Sequence, residues 1–375
     1  MKIIGIDAAT IIPGKGGAGG GIWIYTKNIL IALDQLLEYE QEISIKVFAN
    51  KTFDLEFKHI DIVRIDADTE KLLNRLKYVH IMLPRLCKKL HVDVLHKLAT
   101  EVPFFYKGSM VVTIHDLIIN FYLKKKYYGK NLFQLLKLNY FSYIEKIAVK
   151  KSDAVFTNSE SLKDELIKLY GNKNVLVTGL GNPVNADALI TRPKKKPICF
   201  YCIAGYYPHK GHARVIKLVE CLVSKYGLDI MLYFRGNPSH DHFFNTIMEQ
   251  IRQSPCRERI VIENYVQQHA LTEIYANASV MILLSEYEGF GLPIIEAQAL
   301  GVPVICSDIS VFREVSGGYA CFVGLDNMEK AASVVDDFLQ NEEAQQFNIT
   351  NGFTNTKRFQ WGKIGQQLLQ AYKSL

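Results

Sequence analysis

The stretch SEYEGFGLPIIEAQALGVPVI, residues 285–305, decides the fold of this 375-residue chain. The apolar run 280–284 comes directly before it and predicts a buried strand that ends where the stretch begins. Gly289 and Gly291 then form a turn, and Pro293 suits the first turn of the helix that follows. A strand, a glycine turn and a helix in this order are typical of a parallel α/β sheet, whose ligands bind beyond the carboxyl ends of the strands.

Short apolar runs alternate with helix-length segments along the whole chain, in two sets. The first set of predicted strands covers residues 3–6, 43–48, 92–95, 111–114, 154–157 and 175–177, and the second covers residues 198–204, 230–234, 260–263, 280–284, 302–306 and 321–323. Between the sets lies a Pro- and Lys-rich segment, residues 191–197, which suits a solvated linker. The sequence therefore predicts two Rossmann-like α/β domains, over residues 1–190 and 197–352.

The composition is that of a globular protein, with 49% hydrophobic and 22% charged residues. The longest uncharged apolar runs are shorter than the ~20 residues that a membrane-spanning helix needs. Seven scattered cysteines, an odd number, do not form a disulfide framework, and residues 1–10 lack the apolar stretch of a secretory signal. We therefore expect a cytoplasmic protein.

One segment of the chain, residues 121–151, is both basic and aromatic. It holds eight lysines and a single acidic residue, Glu145, among several tyrosines and phenylalanines. Such a segment can dock on an anionic membrane surface. It can equally form a helix whose aromatic residues face the core and whose lysines face water, so both interpretations stay open. The net charge of +6 is too small and too local to indicate a nucleic-acid groove.

A glycine-rich segment, PGKGGAGGG at residues 13–21, lies between the first predicted strand and a helix-length segment at 24–37. Loops of this composition let backbone N–H groups approach a ligand closely. The spacing matches neither a Walker loop nor the Gly-x-Gly-x-x-Gly of dinucleotide-binding proteins, which disfavours an NAD-dependent oxidoreductase. A mobile surface loop is the alternative; we predict ligand contact, because glycine is costly to order without a close approach.

Two carboxylates stand eight positions apart in the opening stretch. Glu288 lies in the turn and Glu296 lies inside the predicted helix. Together they can accept hydrogen bonds from pairs of hydroxyl groups, such as those of a sugar and a ribose. This Glu-x7-Glu pattern within EGFGLPIIEA resembles the signature of the retaining, GT-B-fold glycosyltransferases of the large family four, also called glycosyl transferases group 1.

The resemblance extends over most of the chain. Segments similar to motifs of this family are GGGIWIY (19–25), DVLH (93–96), VTIHDL (112–117), TNSESLKDEL (157–166), GNPV (181–184), IAGYYPHKGH (203–212) and RFQW (358–361). The resemblance implies a GT-B fold, in which two Rossmann-like parallel-sheet domains face each other across a cleft. It implies that residues 1–190 bind the acceptor, that residues 197–352 bind the nucleotide-sugar donor, and that a C-terminal helix at about 358–375 crosses back to the first domain.

The resemblance also implies an activity. Members of this family move a hexose from a nucleotide sugar to a glycan or lipid-linked glycan acceptor, with retention and without a metal, another cofactor or an enzymic nucleophile. Likeness to bacterial mannosyltransferases of lipopolysaccharide and other surface-polysaccharide synthesis favours GDP-mannose as the donor. Docking of residues 121–151 on the inner face of the cytoplasmic membrane would suit a lipid-linked acceptor. A UDP-hexose donor and a non-catalytic carbohydrate-binding protein of the same fold are the alternatives.

Site residues follow from the family motifs, position by position. Three are expected to act in catalysis: His115 near the anomeric carbon of the transferred sugar, Lys210 on the donor phosphate and Glu288 on the sugar hydroxyls. Glu296 is expected to hold the ribose. The other residues expected to contact the donor are Gly205, Arg235, Gly289, Phe290, Gly291 and Leu292, and those on the acceptor side are Gly19, Gly20, Gly21 and Asp116.

A second phosphate-binding cation is not evident in this sequence. The family commonly has an arginine just after the glycine that opens the donor loop, where this chain has Tyr206 after Gly205. Arg235 and His209 are therefore candidates for this cation.

Three pairs of residues have side chains and spacings that could bind a metal, but we do not predict a metal site at any of them. They are Asp66/Asp68, His240/His242 and Cys199/Cys202. The first pair resembles a metal-binding Asp-x-Asp, but it lies in an acidic segment, residues 61–70, that we interpret as a solvated loop. The second pair lies in a turn without further ligands. The third pair points to opposite faces of a strand. We therefore expect no metal.

Overall fold

The computed structural model of the protein describes residues 1–12, 20–171, 174–184, 197–236, 242–264 and 271–375. The chain forms two compact units: unit 1 holds Met1–Gly181 with Phe359–Leu375, and unit 2 holds Asn182–Arg358. These boundaries differ from the predicted limits at residues 190 and 352. All but the last residue of the predicted linker, 191–197, lies outside the described residues.

Unit 1 contains, in its described part, a sheet of seven parallel strands. In chain order they are β1 (Lys2–Asp7), β2 (Ile43–Ala49), β3 (Asp61–Arg64), β4 (Val94–Lys97), β5 (Ser109–Ile114), β6 (Ala154–Thr157) and β7 (Val175–Val177). The order across the sheet is β3-β2-β1-β4-β5-β6-β7. Every residue of β4 and β6 is buried, as expected for central parallel strands that are covered on both faces.

The helices of unit 1 connect these strands. They are α1 (Gly21–Leu37), α2 (Leu72–Lys77), α3 (Leu83–Lys89), α4 (Ile118–Lys125), α5 (Leu132–Lys151) and α6 (Glu160–Tyr170), with a π-helical segment, Tyr78–Met82, between α2 and α3. Helices α5 and α6 begin at polar caps, because the side chains of Asn131 and Ser159 accept hydrogen bonds from backbone N–H groups of the first turn. In the part of the chain that the structure describes, no helix combines the length and the apolar character needed to cross a membrane.

Strand β3 corrects one prediction. The acidic segment 61–70 is predicted to be a solvated loop, yet its first four residues form β3, an edge strand paired with β2. Only Ile62 and Val63 are apolar there. An edge strand has one neighbour and little burial, so its sequence pattern resembles that of a loop. Asp66, beyond the strand, is exposed and pairs with Lys51 at 2.7 Å.

Unit 2 repeats the architecture with six parallel strands among its described residues. They are β8 (Ile198–Ile203), β9 (Ile230–Arg235), β10 (Ile260–Glu263), β11 (Val280–Leu283), β12 (Val304–Ser307) and β13 (Cys321–Val323), in the order β10-β9-β8-β11-β12-β13. The helices are α7 (His212–Tyr226), α8 (His242–Gln253), α9 (Leu271–Asn277), α10 (Leu292–Ala299), α11 (Ser310–Ser316), α12 (Met328–Gln340) and α13 (Glu342–Thr356). The two predicted Rossmann-like parallel-sheet domains are therefore confirmed.

The C-terminal helix, α14 (Trp361–Ser374), belongs to unit 1 although it follows unit 2 in the chain. It packs on α1, where Gly365 permits a close approach: a Cβ atom there would lie 2.8 Å from a leucine side chain of α1. Near its end, the Tyr372 hydroxyl lies 2.5 Å from His96 Nδ1, and His96 Nε2 lies 2.7 Å from Thr113 Oγ1. This buried chain of hydrogen bonds joins α14 to β4 and β5.

In each sheet the order of the strands reverses beside the first strand. In unit 1 the chain builds outward from β1 to β2 and β3 and then returns to β4, on the other side of β1. In unit 2 it builds from β8 to β9 and β10 and then returns to β11. Parallel α/β sheets bind ligands in the crevice beyond the carboxyl ends of the two strands at such a reversal. The fold therefore places one crevice at the ends of β1 and β4 and another at the ends of β8 and β11.

Candidate functional site

An ion pair between Lys210 and Glu288 occupies the crevice of unit 2. A short 3-10 turn, Pro208–Lys210, follows β8, and Glu288 lies in the turn after β11. Lys210 Nζ lies 2.7 Å from both carboxylate oxygens of Glu288, and Ser285 Oγ donates a hydrogen bond of 2.8 Å to Oε1. The lysine and glutamate side chains are 21% and 13% exposed, so solvent or a ligand can reach the pair. The structure thus brings together two predicted residues that lie 78 positions apart.

A second ion pair, which the sequence reasoning missed, lies beside the first. Arg214, in the first turn of α7, pairs through Nη2 with Oε1 of Glu286. The Glu286 N–H group donates to the His209 carbonyl oxygen at 2.8 Å, so the turn after β11 is also joined through its backbone to the segment before α7. The available signal is only nearness in sequence: Arg214 follows Lys210 by four positions, and Glu286 precedes Glu288 by two.

Two glycines let the segments of this site approach their neighbours closely. Gly211 has a φ of +73°, and a Cβ atom there would lie 2.0 Å from the carbonyl oxygen of Leu284, just after β11. Gly291 has a φ of +113°, and a Cβ atom there would lie 2.9 Å from the ring of Phe312. The two glycines directly precede α7 and α10 and provide no side chain to cap them. Such helix starts favour an anion, because their N–H groups carry partial positive charge.

The remaining residues predicted on the donor side flank the ion pair along the chain. Gly205 lies in the loop after β8. Gly289 and Phe290 lie in the turn between β11 and α10, and Leu292 is the first residue of α10. Phe290 is buried. Contact of these residues with a donor stays a prediction.

Glu296 lies inside α10 and is buried. The Tyr275 hydroxyl donates a hydrogen bond of 3.0 Å to its Oε2 atom. Burial raises the pKa of Glu296 to about 7, so its carboxyl group is partly protonated at neutral pH. Binding of a ribose by Glu296 stays a prediction.

Neither of the two candidates for the second phosphate-binding cation supplies a positive charge beside Lys210. Arg235 ends β9, and its Nε atom lies 2.5 Å from Oε2 of Glu263, which ends the neighbouring strand β10. Its guanidinium group also lies over the ring of Tyr201, 5.7 Å from the centroid. Burial lowers the pKa of His209 to about 2, so this histidine is uncharged at neutral pH. Arg235 is thus paired on the side of β8 away from β11, and His209 offers no positive charge.

The crevice of unit 1 holds an ion pair of a different kind, between Asp7 and Lys97. Asp7 ends β1, Lys97 ends β4, and Lys97 Nζ donates to Asp7 Oδ2. The Tyr78 hydroxyl and the Ala9 N–H group donate to Oδ1 at 2.8 and 3.1 Å. Both charged side chains are 0% exposed, so this pair is sealed from solvent. No local sequence signal predicts it, because its partners lie 90 positions apart.

His115 follows β5 and is half-buried. Its Nε2 atom lies 3.1 Å from the carbonyl oxygen of Leu98, and because a carbonyl only accepts, Nε2 carries the hydrogen. Burial lowers the pKa of His115 to about 4, so the ring is neutral at pH 7 and Nδ1 keeps a lone pair. The ring also packs edge-on against Tyr25, with 4.9 Å between the centroids. This geometry equips His115 to accept a hydrogen bond from a hydroxyl group.

Three of the four residues predicted on the acceptor side are described, and Gly19 lies outside the described residues. Gly21 begins α1 and Gly20 precedes it; a Cβ atom at either position would meet no other atom within 4 Å. Asp116 Oδ1 accepts a hydrogen bond of 3.0 Å from the Ile118 N–H group at the start of α4. Asp116 therefore helps to hold the first turn of that helix.

Within the described ranges, no group of three or more His, Cys, Asp or Glu side chains is arranged to hold a metal ion. His240 lies outside those ranges, and His242 is the first residue of α8. Cys199 and Cys202 lie on β8 and are not joined to each other by a disulfide.

Comparison with known proteins identifies the family. The model for Glycosyltransferase Family 4 matches residues 19–188, and the model for Glycosyl transferases group 1 matches residues 186–354. The chain is 26% identical to the O-antigen chain mannosyltransferase RfbU of Salmonella typhimurium over 340 residues, which cover 88% of this chain and 90% of that protein. It is 33% identical to the O-antigen chain mannosyltransferase B of Escherichia coli over 282 residues, which cover 71% of this chain and 70% of that protein.

A solved structure agrees with this result. The sucrose-phosphate synthase of Thermosynechococcus elongatus has the same fold, with a TM-score of 0.80 and 17% sequence identity over 100% of this chain and 99% of that one. Together with the two parallel sheets and the family models, these relatives establish that the chain belongs to the family-four glycosyltransferases, the glycosyl transferases group 1, with the GT-B fold.

Proposed function

We propose that the protein transfers a mannosyl residue from GDP-mannose to a glycan or lipid-linked glycan, with retention of the anomeric configuration. The observation that carries the proposal is the Lys210–Glu288 ion pair in the crevice of unit 2. Two relatives that are named O-antigen chain mannosyltransferases support mannose as the sugar and a lipopolysaccharide O-antigen chain as the acceptor. A UDP-hexose is the alternative donor.

The ion pair suits the two parts of a nucleotide-sugar donor. Lys210 can neutralise the charge that develops on the departing diphosphate, and the starts of α7 and α10 add partial positive charge. Glu288 can accept hydrogen bonds from the sugar hydroxyls. In the donor-free protein the two groups neutralise each other, so donor binding exchanges one ion pair for contacts to phosphate and sugar. The proposal includes no metal and no other cofactor.

His115 suits the transferred sugar. A neutral imidazole with a lone pair on Nδ1 can accept a hydrogen bond from a sugar hydroxyl, and a pKa of about 4 makes it a weak base at neutral pH. We therefore assign no side chain as general base. The departing phosphate oxygen takes the proton of the acceptor hydroxyl, while the hydroxyl oxygen bonds to the anomeric carbon on the face that the phosphate leaves. Attack on that face retains the configuration.

Helix α5 exposes a row of large apolar side chains, which favours one of the two interpretations of residues 121–151. These side chains are between 44% and 78% exposed: Leu132, Phe133, Leu136, Tyr140 and Tyr143. They lie on one side of the helix, and the sequences of α4 and α5 also contain several lysines, a combination that suits an anionic membrane surface. Each lysine near such a surface contributes about 1 kcal/mol. The proposal therefore includes peripheral docking on the inner face of the cytoplasmic membrane, where a lipid-linked acceptor would lie.

Thermal unfolding with a panel of nucleotide sugars tests the donor. The panel holds GDP-mannose, UDP-glucose and ADP-glucose, with NAD as an unrelated nucleotide. A ligand at 100 times its dissociation constant adds about 2.7 kcal/mol to the free energy of unfolding, which a melting curve resolves. We expect a shift with GDP-mannose that is lost in Lys210→Ala and Glu288→Gln. Lys217→Ala, on the exposed face of α7, is the matched control and should keep the shift.

Turnover then separates an enzyme from a binding protein. Release of GDP and a gain of one hexose by extracted lipid-linked glycan would support transfer, and the anomeric configuration of the product, read by NMR, tests retention. An increase of the melting temperature with a UDP-sugar alone would identify that sugar nucleotide as the donor and leave the proposed transferase activity standing. Donor binding without turnover on any extracted acceptor would favour the non-catalytic alternative, and a shift with NAD alone would contradict both.

A further inference from the structure

The diphosphate of a nucleotide sugar carries more negative charge than one lysine neutralises. In the crevice of unit 2, Lys210 supplies one positive charge. The loop after β8 has Tyr206 at the position where the family commonly has an arginine, and His209 is uncharged. Arg235 pairs with Glu263 on the side of β8 away from β11. Among the residues predicted for this site, none supplies the second cation.

Arg214 is a cation close to Lys210 in the sequence. It follows Lys210 by four positions, in the first turn of α7, and that helix has no side-chain cap. Its Nη2 atom pairs with Glu286, and its side chain is 29% exposed, so the guanidinium group is accessible without extending freely into solvent. Glu286 lies in the same turn as Glu288. Both ion pairs therefore join the same two segments, the start of α7 with the turn just before it and the turn after β11.

The chemistry of arginine suits this position better than that of lysine would. A guanidinium group carries five N–H donors in a planar fork, so one edge can stay on Glu286 while another binds phosphate oxygens. Lys210, in contrast, has three N–H donors on one charged atom, and two of them already meet the oxygens of Glu288, so a single donor is left for a phosphate. Contacts between arginine and phosphate are charge-assisted and often bidentate, which makes them strong.

We propose that Arg214 binds the diphosphate of the nucleotide-sugar donor beside Lys210, and that Glu286 holds the guanidinium group in position. The inference rests on the proposed function, because it requires a nucleoside diphosphate to bind in this crevice. In the alternative, the Arg214–Glu286 pair only clamps α7 to the turn after β11 and its charge does not meet the ligand.

Binding of GDP and GMP to Arg214→Gln, measured by titration calorimetry on the full chain, separates these roles. GMP lacks the second phosphate, so a phosphate contact predicts that GDP affinity falls about tenfold or more while GMP affinity changes much less. Arg214→Lys keeps the charge without the planar fork and should give an intermediate loss. The control is Arg259→Gln, because the Arg259–Asp229 pair lies at the opposite, amino-terminal ends of β9 and β10. It should leave both affinities unchanged.

Two outcomes would overturn the inference alone. Equal GDP affinity in the wild type and Arg214→Gln would do so and leave the proposed function standing. An equal loss of GDP and GMP affinity together with a lower melting temperature would assign the pair to clamping. If Arg214→Gln does not fold, the same comparison is made with Arg214→Lys: a larger loss of GDP affinity than of GMP affinity supports the phosphate contact, and equal losses contradict it. If the wild type binds UDP instead, UDP and UMP replace the guanine nucleotides; if it binds no nucleoside diphosphate, the proposed function fails and the inference with it.

Discussion

The two units carry a lysine–carboxylate pair at the same place in the same topology, and they differ in what covers it. In unit 1, Asp7 and Lys97 are 0% exposed, and the Tyr78 hydroxyl from the π-helical segment bonds to the carboxylate. In unit 2, Lys210 and Glu288 remain partly exposed, and the small Ser285 side chain adds a hydrogen bond to the glutamate. The fold thus provides a crevice at each strand reversal. Whether the ion pair there serves stability or ligand binding depends on the side chains that cover it.

The two units also differ in the charge that accompanies their exposed apolar side chains. Unit 1, sealed in its crevice, exposes the apolar row of α5, beginning with Leu132 and Phe133. Unit 2, open in its crevice, also has exposed aromatic side chains, such as Phe347 on α13, but α13 lacks the lysine-rich sequence of α5. From the largest expected effect to the smallest, three predictions test this difference between the units and one tests a property that they share.

The largest effect is expected from Lys97→Met, because it leaves the Asp7 carboxylate buried without a counter-charge. Breaking a buried ion pair on one side costs about 3–5 kcal/mol of the free energy of unfolding. Urea denaturation measures this loss. The double variant Asp7→Asn with Lys97→Met removes both charges and should recover most of it. If Lys97→Met and Lys210→Met lower the free energy of unfolding equally, the contrast between sealed and open pairs is wrong.

The second effect is the loss of activity in Lys210→Met. Removing a group that stabilises transition-state charge lowers the rate by about 10²–10³, or about 3–4 kcal/mol in the activation free energy. The free energy of unfolding should fall by less than it does in Lys97→Met, because the Lys210–Glu288 pair is partly exposed and the Asp7–Lys97 pair is not. Initial rates of sugar transfer measure the first quantity, and urea denaturation the second. Wild-type rates in Lys210→Met would remove this lysine from the mechanism.

The third effect is a loss of stability in acid, which both units should share. Burial lowers the pKa of His212 in unit 2 to about 4 and that of His96 in unit 1 to about 3, below the usual 6.5. Below pH 6.5 the imidazole of His212 binds a proton in the unfolded chain, but in the folded chain it does so only near pH 4. The free energy of unfolding is therefore highest above pH 6.5 and decreases as the pH falls. Each histidine shifted to a pKa of about 4 costs about 2 kcal/mol at pH 5.

The variant His212→Phe tests this linkage, because it removes one proton-binding site and keeps an aromatic ring beside Tyr206. Its free energy of unfolding should fall between pH 7.5 and pH 5 by about 2 kcal/mol less than that of the wild type. His59→Gln, at an exposed position, should leave the pH dependence unchanged. A wild-type pH dependence in His212→Phe would contradict a neutral buried His212.

The smallest effect concerns the exposed face of α5. Phe133→Ser and Leu136→Ser should each weaken binding to vesicles that contain an anionic lipid by about 1 kcal/mol, and should not lower the melting temperature. Co-sedimentation with and without the anionic lipid measures this. Phe347→Ser in unit 2 is the matched control, because that side chain is also exposed. Equal vesicle binding of all three variants would contradict docking of α5 on the membrane and favour the interpretation in which this helix only faces water.

Much of the fold could be predicted from local patterns. Strands such as β6 and β10 were predicted to the residue, because an apolar run between turn signals is a local property. Strand β3 was missed, since an edge strand with two apolar residues lacks that pattern. In the site, Lys210 and Glu288 were predicted from family motifs, and the structure brings them together. Arg214 and Glu286 were missed, because neither belongs to a motif and their pairing is a contact between distant segments.

The sequence by itself determined the class of fold, the two-domain organisation and the family, because periodic apolar runs and a contiguous Glu-x7-Glu stretch are properties of neighbouring residues. Only the tertiary structure decided which charges meet. The pairs Asp7–Lys97, Lys210–Glu288 and Arg214–Glu286 join residues 90, 78 and 72 positions apart. Their partners meet because parallel strands end at one edge of a sheet, and their exposure depends on side chains from other elements, such as Tyr78, that cover one crevice and not the other.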